Sequence, residues 1–247
     1  MIAERIAYIK NTYDITCPEP TPFKPEERPV ASYIDHTILV NDALPAQVKK
    51  LCEEAITYDF ASVCVNQCYA ALAYSILKDA KPKVCCVVNF PLGSATTSVK
   101  VFETKEAIKD GASEIDMVIN CGWMKAGMYK EVYEDIKALA EACHAEKAHL
   151  KVIIEATCLA KDELIIDACL LSAAAGADYV KTSTGMHKNG GAKLEHVKLM
   201  RETVGGRLGV KAAGGIRTGE DAMKMIEAGA SRLGASSGIQ IIESLKK

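Results

Sequence analysis

The chain has 247 residues, 49% of them apolar and 25% charged, with a formal net charge of −2. This composition supports a large core and excludes global disorder. Lysine and arginine (30) nearly balance aspartate and glutamate (32), so there is no electrostatic footprint for nucleic acid or an anionic membrane. No apolar run reaches the roughly 18 residues of a membrane span; the longest, Leu164–Ala177, is broken by Asp167 and Ser172. The ten cysteines show no C-x-x-C pair and no zinc-ligand spacing. Several of them (Cys64, Cys85, Cys86, Cys169) lie in apolar runs and read as small buried hydrophobes, free thiols of a cytoplasmic protein.

The N-terminal stretch Ile2–Thr12 predicts a short amphipathic helix, with Glu4 and Arg5 where a signal peptide would need an unbroken apolar core. Five of the eight prolines then fall between Pro18 and Pro29, a density that suits neither a central strand nor a helix interior. Residues 1–30 therefore read as a helix and proline-rich linker leading into one domain over residues 31–247. The helix is too short to fold alone, so it is expected to pack on the body of the protein or on a neighbouring subunit.

From Ala31 onward two textures alternate. Short β-branched or apolar runs occur at Ser32–Thr37, Phe60–Asn66, Lys83–Phe90, Glu114–Asn120, Leu150–Thr157, Tyr179–Gly185, Leu208–Gly215 and Arg232–Gly238. Stretches with helical periodicity lie between them, at Ala46–Tyr58, Ser98–Asp110, Lys130–Ala145, Lys161–Ala175, Leu194–Val204 and Gly219–Ala228. Strand starts recur at about the length of one βα unit. Gly-Ala pairs at Gly111, Gly176 and Gly229 mark helix ends, while Asp162 and Thr218-Gly219 mark helix starts. Eight strands alternating with helices predict an α/β protein, a (β/α)8 TIM barrel with an N-terminal helical extension. An open dinucleotide-binding sheet lacks its G-x-G-x-x-G after the first strand.

Branched apolar side chains should fill the interior of such a barrel. Asp116, Glu155, Lys181 and Lys211 break that rule on four predicted strands, and lone buried charges are costly, so these residues are expected to face one another or a polar site. Two lysines on consecutive strands suggest a nucleophilic amine. Bringing a lysine from its ordinary pKa of about 10.4 to about 7 takes roughly 4.6 kcal/mol. A second ammonium about 4 Å away supplies about 4 kcal/mol at an effective dielectric of about 20. The free amine could then attack a carbonyl and form a Schiff base, with Asp116 relaying protons. Lys181 is the expected nucleophile, because Thr182, Ser183 and Thr184 follow it and could bind a hydroxylated substrate; Lys211 is its charge partner. Lys151 reads as lying at the wrong end of its strand. An alternative uses Asp116 and Glu155 as acid and base without an imine.

The seventh and eighth strands end in Gly214-Gly215-Ile216-Arg217 and Gly234-Ala235-Ser236-Ser237-Gly238. Glycine lets backbone N–H groups approach an anion, and the loops after these two strands are the recurrent phosphate site of the fold. Asp35 and Thr37, on one face of the first strand, could bind substrate hydroxyls, and Cys64 could border the site. Asp35 and His36 without further ligands make no metal site, so no metal or cofactor is expected.

The ordered motifs IDHT (34–37), ASVCVN (61–66), VVNFPLG (87–93), EIDMVIN (114–120), KVIIEA (151–156), VKTSTG (180–185), VKAAGGIR (210–217) and RLGASSG (232–238) resemble the deoxyribose-phosphate aldolases, a class I aldolase family. The resemblance implies reversible, metal-free cleavage of 2-deoxy-D-ribose 5-phosphate to acetaldehyde and D-glyceraldehyde 3-phosphate, so the partner is a small phosphorylated sugar. It implies a Schiff base at Lys181 and proton relay by Asp116 and Lys211. Sugar contacts would come from Asp35, Thr37 and Thr184, with Cys64 alongside. Phosphate contacts would come from Gly185, Gly214, Gly215, Ile216, Arg217, Gly234, Ser236 and Ser237. A homodimer or higher homo-oligomer fits the same reading. Three features depart from family patterns: Met186 stands where some members are basic, Val40 where many have a lysine, and the tail Ile241–Lys247 has no tyrosine, where some members end in one.

Overall fold

The structure is a computed structural model and describes residues 1–188 and 190–246. Eight parallel strands close into a barrel in sequence order: β1 (Ile34–Ile38), β2 (Ser62–Val65), β3 (Lys83–Val88), β4 (Glu114–Val118), β5 (His149–Ile153), β6 (Tyr179–Lys181), β7 (Gly209–Ala213) and β8 (Arg232–Ala235). β8 pairs back onto β1 through Ile34↔Leu233 and Asp35↔Gly234. The helices are α1 (Ile2–Tyr13), α2 (Pro45–Thr57), α3 (Ala70–Leu77), α4 (Thr97–Lys109), α5 (Cys121–Lys125), α6 (Tyr129–Ala145), α7 (Ala156–Leu159), α8 (Asp162–Ala174), α9 (Leu194–Val204), α10 (Gly219–Glu227) and α11 (Gly238–Ser244). The (β/α)8 expectation holds.

The sequence pattern explains both layers. Alternate strand residues such as Val63, Val65, Ile115, Met117, Val152, Val180, Val210 and Leu233 join the apolar layer between barrel and helices. Their neighbours point into the barrel, where only a small apolar cluster of Cys64, Cys85 and Val87 forms. Cys85 and Cys86 illustrate the alternation, one in each layer. Helices return to strands through glycines that need positive φ: Gly111 at 102°, Gly176 at 88° and Gly229 at 107°. The predicted strands at Leu150–Thr157 and Tyr179–Gly185 run too long. β5 and β6 stop at Ile153 and Lys181, and the residues beyond become the loops of the site. The unanticipated α3 is short and almost wholly apolar (AALAYSIL), so it carries little amphipathic signal.

The extension packs on the body of the same chain. Ile9, Ile15 and Cys17 are buried in the common core. Arg5 forms a two-pronged ion pair with buried Asp167, Nε to Oδ1 at 2.7 Å, and Tyr129 donates to the same carboxylate at 2.5 Å. The proline-rich segment is strapped down by a bridge from Thr21 to Gly205, by Arg207 Nε donating to Glu19 O (2.5 Å) and by Arg28 Nη2 donating to Ser231 O (2.6 Å).

A second buried ion pair ties α4 to α6. Lys100 Nζ donates to Asp135 Oδ2 (2.6 Å) and Val118 O (3.0 Å), and Thr97 Oγ1 donates to Asp135 Oδ1 (2.8 Å). Removing one partner strands the other charge in the core, so Asp135→Ala should destabilise folding by about 3–5 kcal/mol. Urea unfolding checks this, and a loss below about 1 kcal/mol would mean the pair tolerates exposure.

Candidate active site

The barrel interior is ionic. Asp116 on β4 accepts from Lys181 Nζ (2.7 Å) and Lys211 Nζ (2.8 Å) at Oδ2, and from Lys151 Nζ (2.8 Å) and Cys85 Sγ (3.1 Å) at Oδ1. Lys211 Nζ also lies 2.5 Å from Asp35 Oδ2, whose other oxygen accepts from Arg232 Nη1 at 2.8 Å. Arg232 donates on to Glu114, and Glu114 Oε2 sits 2.7 Å from Lys151 Nζ. The strands place these groups by register: Lys181 pairs with Lys211, Lys211 with Arg232, and Asp116 with Lys151.

All of these side chains are buried, and Asp116 and Lys211 are fully so. Burial alone would raise the Asp116 carboxyl, but Lys151, Lys181 and Lys211 outweigh it and hold the group well below the usual carboxylate range. Burial alone would lower Lys211, but Asp116 and then Asp35 outweigh it and keep the ammonium well above its ordinary value. Lys151 is raised in the same way, against its burial, by Asp116 first among its partners. The network thus joins four cationic side chains (Lys151, Lys181, Lys211, Arg232) to three carboxylates (Asp35, Glu114, Asp116).

Above it, at the C-terminal ends of the strands, lies a pocket of about 300 Å³. It brings together Thr37, Lys181, Thr184, Gly185, Gly214, Gly215, Ile216, Arg217, Gly234, Ser236 and Ser237. Lys181 is the one member of the ionic network on its wall. Gly214 and Gly215 have φ of 89° and 83°. A Cβ on Gly214 would come within 3.0 Å of Gly191 Cα, whereas one on Gly215 would meet nothing within 4 Å. The first glycine lets two loops pack; the second leaves backbone open to the pocket. At Gly234 a Cβ would lie 3.1 Å from Lys211 Cε, so the missing side chain makes room for the lysine stem.

Other expectations are corrected. Asp35 does not line the pocket: its carboxylate is consumed by Lys211 and Arg232 inside the barrel. Cys64 is buried beside Cys85, away from the pocket wall. Lys151 is not at an uninvolved end, because it stands beside Asp116 in the β4–β5 register and donates to it. Glu155 faces none of the lysines: it lies beyond β5 with φ of 48°, and its Oε2 accepts from Thr184 N (3.1 Å) and Oγ1 (2.5 Å). That removes the acid–base pairing of Asp116 with Glu155. The hydroxyls of Thr182 and Ser183 are buried and bond the β7 backbone at Ala213. His187 and Lys188 line an adjacent pocket, leaving Met186 and Val40 on the site's own rim.

Sequence reasoning missed Glu114, Lys151 and Arg232. A period-two count would have found Glu114, which shares the inward face of Asp116 in EID. Cys64, Cys85 and Asp116 also bring three possible metal-donor atoms within 4.8 Å of one another. The Lys151 and Lys211 ammonium groups already on Asp116 would repel a cation there.

Comparison with known proteins agrees with this geometry. A model of the family described as DeoC/LacD family aldolase matches residues 30–244. A deoxyribose-phosphate aldolase of Clostridium botulinum is 56% identical over 87% of this chain and 99% of its own length. One from Caldanaerobacter subterraneus is 54% identical over 88% and 94%. Among solved structures, a protein from Coccidioides immitis superposes with TM-score 0.86 at 42% identity, covering 100% of this chain, extension included, and 98% of its own. The tetrameric deoxyribose phosphate aldolase from Aeropyrum pernix gives 0.82 at 33% identity, over 88% and 91%. On these matches the chain belongs to the DeoC/LacD family of aldolases.

Proposed function

We propose that this aldolase cleaves 2-deoxy-D-ribose 5-phosphate reversibly to acetaldehyde and D-glyceraldehyde 3-phosphate through a Schiff base on Lys181. The observation that carries the reading is the charge count around Asp116. Four basic side chains share three carboxylates, and Lys181 is the one among them that meets a single carboxylate. Arg232 retains its proton at any ordinary pH, and carboxylates on two sides hold Lys151 and Lys211 as ammonium. Lys181 touches one carboxylate and meets the pocket. The two lysines do not meet as a bare pair, because the Asp116 carboxylate holds both of their amino groups.

In this reading the Lys181 lone pair attacks C1 of the open-chain sugar, and loss of water gives the protonated imine. The C3 hydroxyl then loses its proton, the C2–C3 bond breaks into the iminium, and glyceraldehyde 3-phosphate departs. The remaining enamine takes a proton at C2, and water releases acetaldehyde and the free amine. Asp116, 2.7 Å from Nζ, relays protons at the nitrogen, and Lys211 holds a permanent positive charge beside it. Thr37 and Thr184 lie beside the sugar. The phosphate sits against Gly185, Gly214–Arg217 and Ser236-Ser237, where the exposed Arg217 supplies charge. A cytoplasmic setting accords with ten free thiols. A homo-oligomer accords with the tetrameric relative.

Lys181→Ala should leave less than about a hundredth of wild-type cleavage. Borohydride reduction of wild type with substrate should add one ethyl group to the chain, and the variant should gain none. Retained activity or an adduct on the variant would move the nucleophile elsewhere.

Lys211→Leu removes, from beside the Lys181 nitrogen on Asp116, a cation that stays protonated across the working range. Imine formation should fall at pH 7 and recover in part as pH rises, because hydroxide then removes the proton that the neighbour no longer repels. A pH–rate profile with an unmoved limb would leave Lys211 as a proton carrier only.

Each charge-assisted contact to phosphate is worth about 1.5–3 kcal/mol. Deoxyribose without its phosphate, or Arg217→Ala acting on the intact substrate, should therefore lose roughly tenfold or more in kcat/KM. Equal turnover of the two sugars would remove phosphate from the Gly214–Ser237 pocket.

A further inference from the structure

A second cavity, of about 410 Å³, opens at the opposite end of the barrel. The N-terminal strap roofs it with Pro22–Arg28, and its walls come from the α9–β7 connection and the first residues of β6 and β7. It shares no lining residue with the pocket above Lys181. Lys24, Arg28, Arg201 and Arg207 line it, and Glu26 is the one carboxylate among the described lining residues.

Arg201 is the informative group. It is 7% exposed, and among the described residues its charge meets no anion: Nε donates to Gly229 O (2.9 Å), and Nη1 donates to Leu208 O (2.8 Å) and to Gly205 O. Phe23 lies under its guanidinium at 3.8 Å, and Nη2 has no partner. Burial without a compensating carboxylate pulls this arginine down to about 10. Arg28 repeats the pattern more weakly: it donates to Ser231 O, stacks on Tyr33 at 4.0 Å, leaves Nε without a hydrogen-bond acceptor, and meets Glu26 only at 3.7 Å. A guanidinium in the cavity wall without a carboxylate partner, among further cations that outnumber the one carboxylate of the lining, suits an oxyanion.

We propose that this cavity is a second ligand site, which takes a small phosphate monoester through its phosphate group. Several cations around one cavity favour a dianion over a single carboxylate. The cavity exceeds the volume of a bare phosphate and so leaves room for a short organic tail. The rings of Phe23 and Tyr33 already stack against Arg201 and Arg28, so they offer those faces to no nucleobase. The strap of residues 22–28 is what encloses the site, which gives the extension a role beyond covering apolar surface.

Equilibrium dialysis with inorganic phosphate, and separately with glycerol 3-phosphate, tests this on the full chain. Wild type should bind two phosphates per chain, one in each cavity. Lys24→Gln combined with Arg207→Gln, at exposed rim positions, should weaken one of the two by about tenfold or more, while kcat/KM for cleavage stays within about twofold of wild type. Arg201→Lys, which keeps the charge but loses the fork, should weaken the same site.

Two phosphates whose affinities ignore the rim variant would overturn the proposal. So would a single phosphate that the variant leaves untouched. A single phosphate that the rim variant abolishes would support this site and instead count against the phosphate reading of the upper pocket. Binding of inorganic phosphate without glycerol 3-phosphate would overturn the ester and leave a free-phosphate site.

Discussion

One carboxylate organises this molecule. Asp116 accepts three ammonium groups from three successive strands, β5, β6 and β7, and a thiol from β3. Each of those charges would be intolerable alone in a water-poor interior, and each is acceptable only because the others are fixed around the same anion. Asp35, Glu114 and Arg232 extend the arrangement to β1, β4 and β8. A strand slipped by one residue would turn its charge outward into the apolar layer, so the network specifies register more than it adds stability. Stability comes from the continuous apolar layer between barrel and helices.

The same constraint explains where flexibility of backbone is needed. A barrel filled by long lysine stems has little room for further side chains, and Gly234 yields its Cβ position to the Lys211 stem. Above that level the chain turns sharply outward. Gly185, Gly214 and Gly215 take positive φ there, and Glu155 adopts a left-handed conformation to reach Thr184. The reactive amine is therefore held by the rigid interior, while the surfaces that meet substrate belong to loops clamped by backbone contacts such as Ala192 N to Gly214 O at 3.0 Å.

Much of this could be read from the chain because barrel architecture follows from local rules. β-branched runs, helical spacing and Gly-Ala punctuation recur at the length of a βα unit, and the eight strands appear where those patterns place them. Lys181, Lys211 and Asp116 stood out because ionisable residues interrupt apolar strands. The errors came from reach and from backbone conformation. Lys151 looked misplaced because it precedes Glu155 by four residues, yet β5 ends at Ile153 and the register puts Lys151 directly beside Asp116. Glu155 looked like a strand residue because sequence spacing says nothing of a positive φ. Thr182 and Ser183 looked like ligands, yet a hydroxyl beside an unpaired backbone group on the next strand is more useful there than in solvent. Arg232 opens β8, and only the closed ring shows that it can span from Asp35 to Glu114.

The two ends of the barrel are connected through that ring. Tyr179 lines the lower cavity, and its ring centre lies 5.8 Å from the Arg232 guanidinium, which begins the chain of ion pairs ending at Lys181. Contiguity alone does not make coupling, because coupling requires an element with two arrangements that both sites bias. The members of this network are buried and held by ion pairs between strands in fixed register, and the structure shows one arrangement of them. An anion held by Arg201 and the N-terminal strap would neutralise a charge outside the network and leave its internal balance intact. Its effect would then fall on the stability of the strap and the lower barrel, while Lys181 keeps its contact with Asp116.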